Sequence, residues 1–158
     1  MPAGTVTTLR PVTDADLELL VAWHADPEVA RYWDDETYTV DSLREELTGD
    51  DVEPYVVEAD GEPIGFLQAW WEQATPQSAG LDMFLIPSAR GRGLGPDAAR
   101  GLALHLLDER DFAEVTVDPY TWNEPAIRAW GRAGFQPVEE RPADADRKHR
   151  WLLMRFAR

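Results

Sequence analysis

Between a strand-like run, Gly80 to Ile86, and a helix-like run that reaches about Glu109 lies Arg90-Gly91-Arg92-Gly93-Leu94-Gly95-Pro96. Glycines interleaved in this way free the backbone for turns that other residues resist and let it approach a ligand closely. The amides that open the following helix lack intrahelical acceptors, so the junction offers a site for anionic oxygens. A chain carrying this strand, loop and helix must set the helix against a sheet, which confines it to α/β architectures. The loop lacks the Gly-Lys-Ser/Thr of nucleoside-triphosphate loops, and the third glycine of the dinucleotide fingerprint is out of place. Pro96 is expected at the first helical position, where its missing amide removes one donor. The local pattern is also compatible with an ordinary loop and helix start.

The rest of the chain alternates strand and helix signals. Val6 to Pro11 reads as a strand, followed by Thr13-Asp14-Ala15-Asp16, a capping-box-like start to a helix reaching His24 with Leu17, Leu20, Val21 and Trp23 turned inward. Asp26-Pro27 opens a short helix to Tyr32, and Asp41 to Leu47 forms another that ends before Gly49. Tyr55 to Ala59 and Glu62 to Trp71 flank Asp60-Gly61, an antiparallel hairpin signal. Val115 to Asp118 is a fifth strand, Asn123 caps a helix from Glu124 to Ala133 ended by Gly134, and Phe135 to Glu140 and His149 to Phe156 supply the last strands. The expected fold is α/β (α+β), a single domain over 1–158 with a mixed sheet.

A chain of 158 residues buries roughly two-thirds of its unfolded surface. With 44% hydrophobic residues it is not disordered, and it has no apolar run long enough for a membrane span. Met1 to Arg10 shows no apolar core of a secretory signal, so the expected compartment is the cytoplasm. The absence of cysteine excludes disulfides, thiolate metal sites and a thiol nucleophile. His24, His105 and His149 have no metal-binding spacing, and no metal is expected.

The net charge of −15 argues against a nucleic-acid partner and for a cationic one. Residues 1–80 hold 3 arginines and 18 acids, whereas residues 81–158 hold 12 basic and 12 acidic side chains, so the whole imbalance lies in the first half. Those acids can also simply solvate that half.

Arg90-x-x-Gly93-x-Gly95 after a strand resembles the acetyl-coenzyme-A loop of the GNAT superfamily. Asn123-Glu-Pro-Ala126-Ile127-Arg128-Ala-Trp130-Gly-Arg-Ala-Gly134-Phe135 resembles the later motif of the same superfamily. The resemblance covers the chain and implies a mostly antiparallel mixed sheet whose fourth and fifth strands splay to admit the pantetheine arm. It implies acetyl-CoA as the donor, its diphosphate held at Gly91, Arg92, Gly93 and Gly95. Phe84, Leu85, Ile86, Arg90, Leu94, Asn123, Ala126 and Arg128 would complete the coenzyme site. Within the superfamily the first half is most similar to the aminoglycoside 6′-N-acetyltransferases, through Leu9-Arg10-Pro11-Val12-Thr13-Asp14-Ala15-Asp16-Leu17, Tyr32-Trp33, Pro54-Tyr55-Val56, Gly61-Glu62-Pro63-Ile64-Gly65-Phe66-Leu67-Gln68, Gly80-Leu81-Asp82 and Val117-Asp118-Pro119. Siderophore and protein N-acyltransferases share parts of that pattern. A catalytically degenerate acyl-CoA-binding module is the third reading.

The resemblance implies direct transfer to a primary amine of a cationic small molecule, an aminoglycoside, with no membrane partner and a monomeric or homodimeric enzyme. The attacking amine must be neutral, so a carboxylate is needed to take its proton. Asp82, on the strand leading into the glycine loop, is the candidate base. Asp118 is the first candidate for binding a substrate ammonium, although Asp before Pro also initiates turns. Trp33 with Asp34 could form a sugar-stacking wall, or Trp33 could be a core residue. Glu72 is a further acidic candidate, and Tyr120 is the nearest replacement for the hydroxyl lost where the superfamily usually has tyrosine and this chain has Trp130.

Overall fold

The computed structural model describes residues 2–158. Its elements run β1 (Thr8–Pro11), a 3-10 turn (Asp14–Asp16), α1 (Leu17–Ala25), α2 (Pro27–Ala30), α3 (Val40–Leu47), β2 (Val52–Ala59), β3 (Glu62–Trp70), β4 (Ser78–Leu85), a second 3-10 turn (Pro87–Ala89), α4 (Leu94–Glu109), β5 (Glu114–Val117), α5 (Glu124–Ala133), β6 (Phe135–Arg141) and β7 (Trp151–Phe156). The strands form one seven-stranded sheet in the order β1-β2-β3-β4-β5-β7-β6. Each neighbouring pair is antiparallel except β4 and β5, which run parallel. The expected mixed, mostly antiparallel α/β fold is the one observed. No helix among the described residues is long and apolar enough to cross a membrane.

Two-residue alternation decides which helices cover which face. Leu67, Ala69 and Leu81 pack with α4 residues Ala98, Leu102 and Leu106, while Phe66 and Phe84 pack with Leu17, Leu20 and Leu43 of α1 and α3. Each buried leucine here contributes about 2 kcal/mol of apolar burial. Asp82 alternates with Leu81 and Met83, so it points to the side of Phe84, opposite Gln68 of β3.

The parallel pair is short. Ser78, Ala79 and Gly80 match Glu114, Val115 and Thr116, and beyond them β4 and β5 diverge. Leu81 to Leu85 therefore keep their hydrogen-bonding partners on β3 but have none on β5, which is the splay that the resemblance implied.

Local signals account for much of the rest. Asp60 and Gly61 both have positive φ, 52° and 78°, as a two-residue hairpin turn requires. Asn123 Oδ1 accepts from the Ala126 amide and caps α5. Two expectations shift. Gly93, at φ 75°, is the cap of α4, so the helix begins at Leu94 and Pro96 takes its third position, where its missing N–H still costs no intrahelical hydrogen bond. Asp14–Asp16 form a 3-10 turn, and α1 starts only at Leu17.

The first strand begins at Thr8, later than expected, because the preceding segment is tied to a helix instead. Asp97, in the first turn of α4, accepts five hydrogen bonds, from the amides of Thr5, Val6 and Thr7 and the hydroxyls of Thr5 and Thr7, at 2.7–3.1 Å. Burial alone would raise the Asp97 pKa, but the threonine hydroxyls and the backbone amides together hold it below the ordinary 3.8. A depressed carboxylate stabilises the fold above its unfolded pKa and loses that contribution as pH falls through the folded value. Asp97→Ala should lower the unfolding free energy by about 2 kcal/mol at neutral pH. Urea denaturation checks this, and the gap between wild type and variant should close on acidification below about pH 4.

Candidate active site

The divergence of β4 from β5 opens a cleft of about 750 Å³. One end is walled by Gly91, Gly93, Leu94 and Gly95 with Asn123, Ala126 and Arg128 of α5, and the other by Trp33, Asp34, Glu36 and Glu46 with Asp118 and Tyr120. Asp82, Phe84 and Leu85 lie between. Fifteen of the sequence-derived site residues thus share one cavity.

The loop end carries a run of unpaired backbone amides. Gly91 and Gly93 take positive φ, 78° and 75°, which glycine adopts without strain. The amides from Gly91 to Gly95 have no acceptor among the described residues, as the start of a helix dictates. Arg90 departs from its expected part: its amide goes to Pro87 O and its guanidinium to Leu85 O and Glu28 O, at 3.2 and 2.7 Å, bracing the loop against α2. Arg92 is exposed and outside the cleft lining, and the Ile86 amide is taken by Ile64 O at 2.9 Å because that residue still pairs toward β3.

Asp82 sits at the junction of the two ends. Gln68 Nε2 donates to its Oδ2 at 3.2 Å. Burial first, and the neighbouring Asp118 carboxylate second, push its pKa up to about 7, against the opposing pull of Gln68, Arg147 and the Trp70 indole. Trp70 Nε1 is buried without a geometric hydrogen-bond partner, so its effect on Asp82 is that of a nearby dipole. That indole packs against Gly80, where any Cβ would come within 2.4–2.7 Å of ring atoms.

The acidic end differs in detail from expectation. Asp118 is not a bare carboxylate, since its Oδ2 accepts from Arg147 Nε at 2.7 Å. The Tyr120 hydroxyl donates to Asp34 Oδ1 at 2.7 Å and accepts from the Lys148 amide at 3.1 Å. Burial and Asp34 raise its pKa to about 12, which suits it to fix Asp34 and makes it a poor acid at neutral pH. Trp33 serves both suggested roles: it lines the cleft while its inner edge packs against His24, Phe66 and Phe84 at 5.4–6.1 Å. Glu72 does not join them. It is exposed beyond β3, beside a smaller cavity of about 270 Å³ on the other side of Asp118. Trp130 packs edge-on against Phe135 at 5.3 Å and lines the cleft, but its indole N–H is no acid at neutral pH. Gln68, Trp70 and Arg147 were missed. Strand alternation puts Gln68 opposite Asp82 and could have found it, whereas nothing local marks Arg147.

The chain matches the family model described as an acetyltransferase (GNAT) domain over residues 12–143. It belongs to the GNAT acetyltransferase family. Aminoglycoside N(6′)-acetyltransferase type 1 of Klebsiella pneumoniae is 31% identical over 147 residues, covering 82% of this chain and 73% of the relative. Spermidine N(1)-acetyltransferase of Escherichia coli (strain K12) is 26% identical over 140 residues, covering 85% and 75%. The solved structure of AAC(6′)-Ib with paromomycin and acetyl-CoA superposes with a TM-score of 0.85 at 28% identity, over 97% of this chain and 94% of that one.

Since Arg90 braces the glycine loop without facing its amides, Arg90→Ala should weaken coenzyme A binding about tenfold by loss of one to two hydrogen bonds. Calorimetry measures it, and Arg90→Lys, unable to reach both carbonyls, should recover little of the affinity.

Proposed function

We propose that this GNAT protein transfers the acetyl group of acetyl-CoA to a primary amine of an aminoglycoside, in the manner of a 6′-N-acetyltransferase. The observation that carries the reading is the placement of Asp82 between an amide-lined anion site and a wall of carboxylates. The 31% identical Klebsiella pneumoniae relative and the AAC(6′)-Ib complexes, one with acetyl-CoA and another with coenzyme A and kanamycin, support it.

The amides of Gly91 to Gly95 and the helix dipole of α4 suit the diphosphate of the donor, and the unpaired edge of β4 suits an extended arm. When bound, acetyl-CoA supplies an activated thioester. At the other end Asp34, Glu36 and Asp118 attract and orient an acceptor carrying several ammonium groups. Asp82 takes the proton of the reacting ammonium, a role that its raised pKa matches because a base works best near the operating pH. The neutral amine then attacks without a covalent enzyme intermediate, and the site contributes mainly positioning. With Trp130 in place of a hydroxyl, the coenzyme departs as thiolate or takes its proton from water, which a thiol pKa of about 8.5 allows.

Incubation with acetyl-CoA and kanamycin should raise the drug mass by one acetyl group and release free thiol. Turnover confined to amino-acid or peptide amines would defeat the aminoglycoside assignment, and spermidine belongs in the panel because the same carboxylates could hold a linear polyamine.

Asp82→Asn should lower kcat/KM by about 10²–10⁴ while leaving the acetyl-CoA dissociation constant within about twofold. The wild-type rate should fall as pH drops below about 7, where Asp82 gains its proton. Steady-state kinetics across pH decides both.

A further inference from the structure

The turn between β6 and β7 has a built interior. Asp144 Oδ1 accepts from the amides of Asp146 and Arg147, both at 2.9 Å, and its own amide donates to Arg147 O at 2.9 Å. Two side chains leave this closed turn toward residues of the cleft wall: Lys148 Nζ donates to Asp34 O at 3.3 Å, and Arg147 turns to Asp118. Its guanidinium lies over the Trp151 ring at 4.0 Å from the centroid, and that indole is itself anchored by donating to Pro142 O at 3.1 Å. Arg147 Nε meets Asp118 Oδ2 at 2.7 Å while Nη1 reaches Asp144 Oδ2 at 3.3 Å.

Arg147 approaches from the side of the smaller cavity and does not line the main cleft, whereas Asp118 lines both. The guanidinium therefore stands behind Asp118, holding one carboxylate oxygen and leaving Oδ1 without a partner among the described residues. We propose that Arg147 is a positioning residue for acetyl transfer, holding the Asp118 carboxylate from behind and offsetting its charge where it shares the cleft with Asp82.

Two carboxylates sharing an enclosed site without a cation hold one proton between them, because ionising the second places like charges side by side. Such a site would keep Asp82 protonated at the pH where it must accept a proton. The charged groups acting on Asp82 are Asp118 from the end of β5 and Arg147 from the β6–β7 turn, and the β3 residues facing it, Gln68 and Trp70, are neutral. Arg147 is the cation that offsets the second carboxylate. Its own opposing partners are Asp118 and Asp144, so it remains charged throughout.

The proposal rests on the acetyl-transfer reading for its functional meaning, but its electrostatic core can be measured without turnover. The test follows the Asp82 side-chain carboxyl carbon by NMR through a pH titration of wild type, Arg147→Ala and Arg147→Lys, with Asp82→Asn assigning the resonance. Arg147→Ala should move the titration midpoint upward by about one pH unit, and Arg147→Lys, which keeps the charge, should return most of that shift. In acetyl-transfer assays the acidic limb of kcat/KM should move with the midpoint, while KM for acetyl-CoA stays within about twofold of wild type. An unmoved midpoint in Arg147→Ala, or a shift as large in Arg147→Lys, overturns the role of Arg147. A wild type that transfers acetyl to no amine overturns the functional reading instead, and the titration still decides the coupling.

Discussion

The architecture turns on the brevity of one strand pairing. β4 and β5 hold together over three matched residues and then part, although every other neighbouring pair in the sheet is antiparallel. Parallel neighbours need a crossover, and here it is the 3-10 turn, the glycine loop and α4, so the helix start and the opening between the strands lie at the same end of the sheet. Had pairing continued past Gly80 and Thr116, backbone donors and acceptors would have satisfied each other and left no gap. The site is thus a place where the sheet declines to complete itself, and the α4 core of Ala98, Leu102 and Leu106 supports that opening from behind.

The same opening sorts the electrostatics. One wall is a set of amides and a helix dipole, and the other is a group of carboxylates, so opposite fields face each other across the cleft with Asp82 between. The carboxylates are ordered by partners of different kinds: a phenol on Asp34, a guanidinium on Asp118 and an amide side chain on Asp82. Asp82 has a neutral amide for its partner, so burial and the Asp118 carboxylate prevail and raise its pKa.

What was legible in the sequence was local chemistry. The Asp60-Gly61 turn, the Asn123 cap, the positive-φ glycines and the alternation of β3 and β4 each act within a few residues, and the structure realises them. Asp82, Asp118 and Trp33 were placed by motif, Tyr120 by its nearness in sequence to the missing hydroxyl, and all four line the cleft. The unread parts are long-range. Asp97 reads as an ordinary acidic first-turn residue, yet it organises a segment some ninety positions away. Arg147 belongs to a charged turn and gains meaning only when Asp118 lies opposite. Glu72 failed for the converse reason: its type was right, but the strand end carries it outside the cleft.

The glycine loop is freer by composition than any other stretch near the site, and the molecule restrains it from two directions. Arg90 ties its beginning to α2, and Asp97, four residues past the αL cap of Gly93, ties the first helical turn to the segment at Thr5–Thr7. The unpaired amides are therefore held in position before any ligand arrives. A diphosphate entering such a preorganised nest orders little additional backbone, so most of the entropy loss of forming the complex falls on the flexible arm and not on the protein.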